Sequence, residues 1–173
     1  MHQKIRLVLL IVGVILLLDQ ATKALVVRHM ALYQSEPVVA SFFHLTYVRN
    51  TGAAFGFLAQ TPAWFRQPFF LGATGLAVLA LGIFLRNADE TDRMTNIAVA
   101  TILGGALGNM IDRIQDGSVI DFLDFHWHGY HWPAFNVADM CITLGVIGLL
   151  LVSFRNQRVT KPFLDIDPVE GAD

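Results

Sequence analysis

Five carboxylates fall between Gly104 and Cys141, in GGALGNMIDRIQDGSVIDFLDFHWHGYHWPAFNVADMC, out of fourteen acidic residues in the chain. Apolar runs flank them on both sides, and a carboxylate near hydrocarbon is costly enough to mark a functional site. Asp121 follows Val119 and Ile120 and precedes Phe122, so an extended segment presents it from apolar surroundings. Asp139 occupies FNVAD, where Asn136 as N-cap places it at the third helical position, the pattern of a capping box. Two carboxylates brought close share one proton, because both cannot ionise side by side. The ionised member then takes a proton from an attacking water, and the protonated member polarises a carbonyl and later protonates the leaving amine. A helix N-terminus favours negative charge, which assigns the ionised role to Asp139.

The other three read differently. Asp112 adjoins Arg113 and suits a local ion pair or a solvated helix end, Asp116 in QDGS suits a turn, and Asp124 suits a polar loop or the site. Asp112, Asp116, Asp121 and Asp124 together offer an alternative, Mg²⁺-dependent phosphoryl transfer on a lipid headgroup. Asp19, Lys23 and Asp139 offer another, a proton relay or small transporter. The long strand-rich segment argues against a pore. The histidines of HWHGYH (His126, His128, His131) do not have the spacing of a known zinc site, and aromatic packing is the expectation for them. HExxH, GxSxG and P-loop patterns are absent. A lone cysteine, Cys141, excludes an internal disulfide and a cysteine-based zinc site.

The elements that position these residues must cross a membrane. The 173 residues are 54% hydrophobic and 15% charged, with mean hydropathy +0.53. A soluble domain carries about 25% charged residues. Net charge is −2 and there is no basic patch, so no nucleic-acid partner is expected. Lys4 and Arg6 precede the uncharged run Leu7–Leu18, in the manner of a secretory signal peptide, but the small-residue cleavage site is missing and Asp19 follows at once. The apolar pattern resumes, which predicts a first helix over about 5–27, with Asp19 and Lys23 at i and i+4 on one face.

Uncharged runs of seventeen residues predict helices over 69–85 and 95–111, the second ending in GGALGN, where Gly104 and Gly108 allow close helix approach. A fourth helix is expected over 137–154, making 1–155 one membrane domain, with a solvated, disordered tail over 156–173. Between the first two helices, residues 29–67 read as strands at the membrane surface; Val38–Val48 is rich in Val, Phe, Thr and Tyr, and Asn50–Phe57 is a small-residue turn. Trp64 and Phe65 beside Arg66 suit the headgroup layer. Four spans put both termini on one side, which receives seven Lys and Arg against five on the other. The positive-inside rule makes that side cytoplasmic and gives the strand-rich segment and the acidic stretch a common outer face.

Five blocks of this chain, DQATK (19–23), NTGAAFG (50–56), GGALGNMIDR (104–113), GSVIDF (117–122) and FNVADMCI (135–142), resemble the bacterial lipoprotein signal peptidases, signal peptidase II. The match runs end to end apart from the tail, in the family's order and spacing. The resemblance implies an all-α membrane bundle of four transmembrane helices with a small β-sheet cradle at the outer, periplasmic face. It implies an aspartic endopeptidase of the inner membrane that cuts prolipoproteins just before a diacylglyceryl-modified cysteine. The carboxylate pair needs no metal or cofactor, and nothing in the sequence demands more than a monomer. The family's two aspartates fall on Asp121 and Asp139. By the same resemblance Asn50 and Gly52 belong to the cradle, Asn109, Arg113, Asn136 and Ala138 surround the pair, and Asp19 with Lys23 supports the same end of the bundle.

Overall fold

The structure, a computed structural model, describes residues 2–52 and 57–159, with side chains as far as 155. In chain order the elements are α1 (His2–His29), β1 (Ser35–Val39), β2 (Phe43–Asn50), α2 (Ala63–Asn87), α3 (Arg93–Asp116), β3 (Val119–Trp127), β4 (Tyr130–His131) and α4 (Val137–Val159). All four helices are long and apolar enough to cross a membrane. At 1.5 Å per residue even the 23-residue α4 extends about 35 Å, against a hydrocarbon core of about 30 Å.

Each helix outruns its uncharged core. α2 starts at Ala63, six residues before the uncharged stretch, and carries Arg66 and Pro68 in its early turns. Pro68, in the second turn, removes one i→i−4 hydrogen bond, yet the helix runs on to Asn87. Arg66 donates to the carbonyls of Ala59 and Thr61 at 3.1 and 3.0 Å, tying the incoming loop to that first segment. Trp64 is exposed there. α4 continues through 159, which corrects the expected disorder from 156; the rest of the tail, like the centre of the Asn50–Phe57 turn, lies outside the described residues.

α3 is the centre of the bundle. Asp92 caps it, accepting from Thr95 N at 3.1 Å, and Gly117 closes it in a left-handed turn with φ 69°. Its small residues are where the neighbours come closest. A Cβ on Gly104 would stand 2.9 Å from Ile15 of α1, and one on Gly108 would stand 2.6 Å from the Asp19 carboxylate. A Cβ on Gly105 would collide with the Ala138 carbonyl of α4. α1, α2 and α4 instead turn Leu9, Leu17, Leu76, Leu79, Leu144 and Leu151 outward, the arrangement of lipid-facing helices around a buried one.

The strands form one antiparallel sheet in the order β1-β2-β3-β4. It sits where α1 ends, α2 begins, α3 ends and α4 begins, so it caps one end of the bundle. The register of β2 on β3 shifts between Leu45 and Val48, and Val48 lies opposite Asp121. Val26 from the end of α1 packs with Tyr47, Ile120 and Phe122, which fastens the sheet to the bundle. Phe135 then pairs with β3: its carbonyl accepts from Phe122 and Leu123, and its N–H donates to Leu123 at 3.1 Å. That bridge brings the start of α4 alongside Asp121.

Candidate active site

Alternation along β3 sends Ile120 and Phe122 into the sheet–helix core and Asp121, Leu123 and Phe125 toward a cavity. Asp121 is 3% exposed. Its Oδ1 accepts from Asn136 Nδ2 at 2.8 Å and its Oδ2 from Asn50 Nδ2 at 3.0 Å. Burial pushes its carboxyl up to about 7, and the neighbouring Asp139 charge adds to the rise; the hydrogen bonds from Asn50 and Asn136, and the charge of Lys23, oppose it. A proton held at neutral pH is what a general acid needs.

Asp139 stands at the third position of α4 and forms the capping box expected of it. Its N–H donates to Asn136 Oδ1 at 3.0 Å, and its Oδ2 accepts from Asn136 N at 3.2 Å. Its second oxygen accepts from Asn109 Nδ2 at 2.7 Å. The capping role and the site role coincide, because the cap leaves one carboxylate oxygen for Asn109 and the cavity.

Asn136 is fully buried and holds both acids, Asp121 through its side-chain amide and Asp139 through its backbone N–H. The same amide lies 3.2 Å from Asn109 Oδ1 and from the Ile120 carbonyl. Asn109 Oδ1 also accepts from Lys23 Nζ at 3.0 Å. Lys23, 2% exposed, places its remaining two donors on Asp19 Oδ2 at 2.9 Å and Asp112 Oδ2 at 2.7 Å. An ammonium has three donors, and here all three are used. Asp19 Oδ1 in turn accepts from Ala138 N at 3.0 Å, so α1 caps α4 from the side. Without such partners these buried charges would be strongly destabilising.

Arg113 lies at the cavity edge, 5.0 Å above the Phe70 ring, and donates to the Gly52 carbonyl at 3.3 Å. Gly52 N donates to Asn50 Oδ1 at 3.0 Å, a turn that aims the Asn50 amide at Asp121. A Cβ at Gly52 would meet the Phe57 carbonyl at 2.5 Å. All ten site residues expected from sequence therefore converge on one end of the bundle. Asp121, Asp139, Asn50, Asn109 and Arg113 line the cavity; Asp19, Lys23, Gly52, Asn136 and Ala138 lie behind or beside them.

The cavity measures about 1150 Å³. Ala73, Ala77 and Leu81 of α2 form one wall and Met140, Ile142 and Leu144 of α4 another. Ala106 of α3 lies at its back, and Trp132, Pro133 and Phe135 reach over it. An apolar slot between two lipid-facing helices, with polar groups at one end, suits a hydrophobic segment that enters from the bilayer.

Three carboxylates depart from the sequence reading. Asp112 does not pair with Arg113: it is 3% exposed, holds Lys23, and accepts from Gln20 Nε2 at 2.9 Å and Ile120 N at 3.2 Å. The signal was present, since Gly104, Gly108 and Asp112 recur every four residues on the face of α3 that meets α1. Asp116 ends α3 and pairs with Arg49 at 2.9 Å. Asp124 lies within β3, not in a loop, and meets His131 at 2.9 Å. Each of the four acids of the phosphoryl-transfer alternative thus has a different partner set, and they do not converge on one point.

Comparison with known proteins identifies the family and the fold. The family model for signal peptidase (SPase) II matches residues 11–155. The lipoprotein signal peptidase of Syntrophotalea carbinolica is 50% identical over 151 residues, covering 87% of this chain and 92% of that protein. That of Geobacter metallireducens is 46% identical over 158 residues, covering 91% and 96%. A bacterial membrane enzyme solved by the in meso method at 2.3 Å superposes with a TM-score of 0.79 at 30% identity, covering 96% of this chain and 94% of that one. A family match over residues 11–155, with a relative 50% identical along most of both chains, settles the assignment: the chain is a multi-pass membrane protease belonging to the signal peptidase II family.

Proposed function

We propose that this protein is an aspartic endopeptidase that removes signal peptides from prolipoproteins, cutting just before a cysteine that already carries diacylglyceryl. The observation that carries the reading is the sharing of Asn136 between Asp121 and Asp139 at the polar end of an apolar cavity. The relatives named lipoprotein signal peptidase support the substrate class.

In the reaction Asp139 is ionised and Asp121 protonated. Asp139 removes a proton from a water held between the two acids as that water's oxygen bonds to the scissile carbonyl carbon. Asp121 donates a hydrogen bond to the carbonyl oxygen, then passes its proton to the leaving amine as the C–N bond breaks. The dyad ends with its proton on Asp139, and transfer across the pair restores the starting state. Asn50, Asn109 and Asn136 hold the carboxylates in place, and the Arg113 guanidinium at the rim favours the negative charge that develops. No step requires a metal or a cofactor.

The apolar helix of the signal peptide occupies the slot between α2 and α4, and the scissile bond unwinds to reach the acids beneath the sheet. Each buried CH₂ of the lipid contributes roughly 0.8 kcal/mol to holding the cysteine. The protein acts as a monomer in the inner membrane, with both termini in the cytoplasm and the sheet toward the periplasm. The deciding experiment is cleavage of a lipidated prolipoprotein by wild type, Asp121→Asn and Asp139→Asn in detergent, each with and without EDTA. Folded variants that do not cleave, beside a wild type indifferent to EDTA, support the dyad. Full activity in either variant refutes it.

A further inference from the structure

The face of β3 turned away from the cavity carries a second cluster of ionisable groups. His44 of β2 lies directly across from Asp124 of β3, and His126, two residues along β3, lies directly across from His131 of β4. With β2 and β4 on either side of β3, this pairing sets the four side chains in a staggered row across one face. His44, Asp124 and His126 can each offer a ligand atom, and these atoms all lie within 4.8 Å of one another. A tetrahedral ion with bonds of about 2.0–2.1 Å needs its ligand atoms about 3.3 Å apart. Small side-chain rotations close the difference.

Three further observations separate this cluster from ordinary surface histidines. His126 Nδ1 is buried and has no hydrogen-bond partner among the described residues. The His44 ring is fixed from outside by Ser35 Oγ, 3.3 Å from its Nδ1. Asp124, only 13% exposed, receives His131 Nδ1 at 2.9 and 3.1 Å on its two oxygens. Ligand carboxylates in metal sites are supported in this way by an outer hydrogen bond.

We propose that His44, Asp124 and His126 bind a divalent ion of the zinc class at the tip of the sheet, with His131 supporting Asp124 and water completing the coordination. Two imidazoles and a carboxylate suit zinc better than magnesium or calcium, which prefer all-oxygen sets. The site is separate from the dyad and takes no part in peptide cleavage. It joins β2 to β3 where Phe125, next to both Asp124 and His126, lines the cavity. A bound ion would therefore stiffen that wall.

The test uses the full-length protein without a histidine tag, in detergent, with zinc ion alone as the probe. Zinc affinity is measured by competition with a chromophoric chelator. X-ray absorption reports the ligand atoms. Wild type and Asp121→Asn should each bind one equivalent through nitrogen and oxygen ligands, with a rise in Tm. The double variant His44→Ala/His126→Ala should lose affinity by more than the roughly 10–100-fold expected when only an outer support is removed, the range expected for His131→Ala. Its unchanged elution and circular dichroism would show that it is folded, and His44→Gln provides a milder variant if it is not. Equal affinity in wild type and double variant, or no uptake by wild type at micromolar free zinc, would overturn the proposal.

Discussion

Asn109 and Asn136 are joined by a hydrogen bond of 3.2 Å, and each holds one of the two aspartates at 2.7 or 2.8 Å. The bond links α3 to the start of α4 and so sets the position of one acid relative to the other. Its acceptor, Asn109 Oδ1, is also the third partner of Lys23. Dyad geometry and the buried ion cluster are thus mechanically one unit.

Asn136→Ala should disable both functions of that residue at once. It removes the amide on Asp121 and the N-cap of α4, a cap being worth about 1 kcal/mol. Cleavage should fall by about 10²–10⁴, the usual contribution of a positioned acid and base, while Tm drops only modestly. Single-turnover cleavage alongside thermal unfolding separates the two effects.

The pH profile should show an alkaline limb near 7, where Asp121 loses its proton. Asn50 donates to the carboxylate and favours its ionised form, so Asn50→Ala should move that limb upward. Stability falls in the same direction, with rising pH, but over a lower window. The folded value lies above the ordinary carboxylate value, so the folded state binds the extra proton and its stability declines as pH rises from about 4 to 7. The Tm of wild type minus that of Asp121→Asn should shrink across that window, and a difference that grew would refute the assignment.

Lys23→Ala should be among the most damaging changes outside the dyad. It leaves Asp19 and Asp112, 0% and 3% exposed, facing each other without a cation. Breaking such a buried pair costs about 3–5 kcal/mol. The yield of folded protein in detergent and the Tm should both fall sharply. A variant of normal stability would show that water reaches the cluster.

A pair of glycine substitutions separates packing from propensity. Gly105→Ala drives a methyl into the Ala138 carbonyl at the start of α4 and should destabilise by about 1–3 kcal/mol. Gly72→Ala, with open space around it, should be neutral or slightly stabilising, since alanine is the better helix former. Parallel thermal melts compare them directly.

Lipid on the substrate should matter more than sequence around the cut. An apolar slot bounded by lipid-facing helices gains from acyl chains and signal-peptide core alike. Precursor without diacylglyceryl should be cleaved at a small fraction of the rate. Equal rates would locate the lipid away from the cavity.

By itself the sequence determined the number of spans, the strand-rich segment after the first, and the two carboxylates held in apolar surroundings. Those features are local. An uncharged run of seventeen residues has few alternatives to a helix in lipid, and N-x-x-D before an apolar run is a cap whatever surrounds it. Helix ends were less legible, because Pro68 and the flanking charges break the apolar pattern without breaking the helix. Only the tertiary structure decided who partners whom. Asp112 reads as a neighbour of Arg113, yet it belongs to Lys23, 89 positions away, because the glycine face of α3 must meet α1. Asn136 reads as a cap, yet it also holds Asp121, because Phe135 pairs with β3. His44 and Asp124 show no common pattern in the chain, and the register of β2 on β3 puts them face to face. Burial near lipid selects residue types position by position, whereas partner choice depends on long-range packing, which no local spacing records.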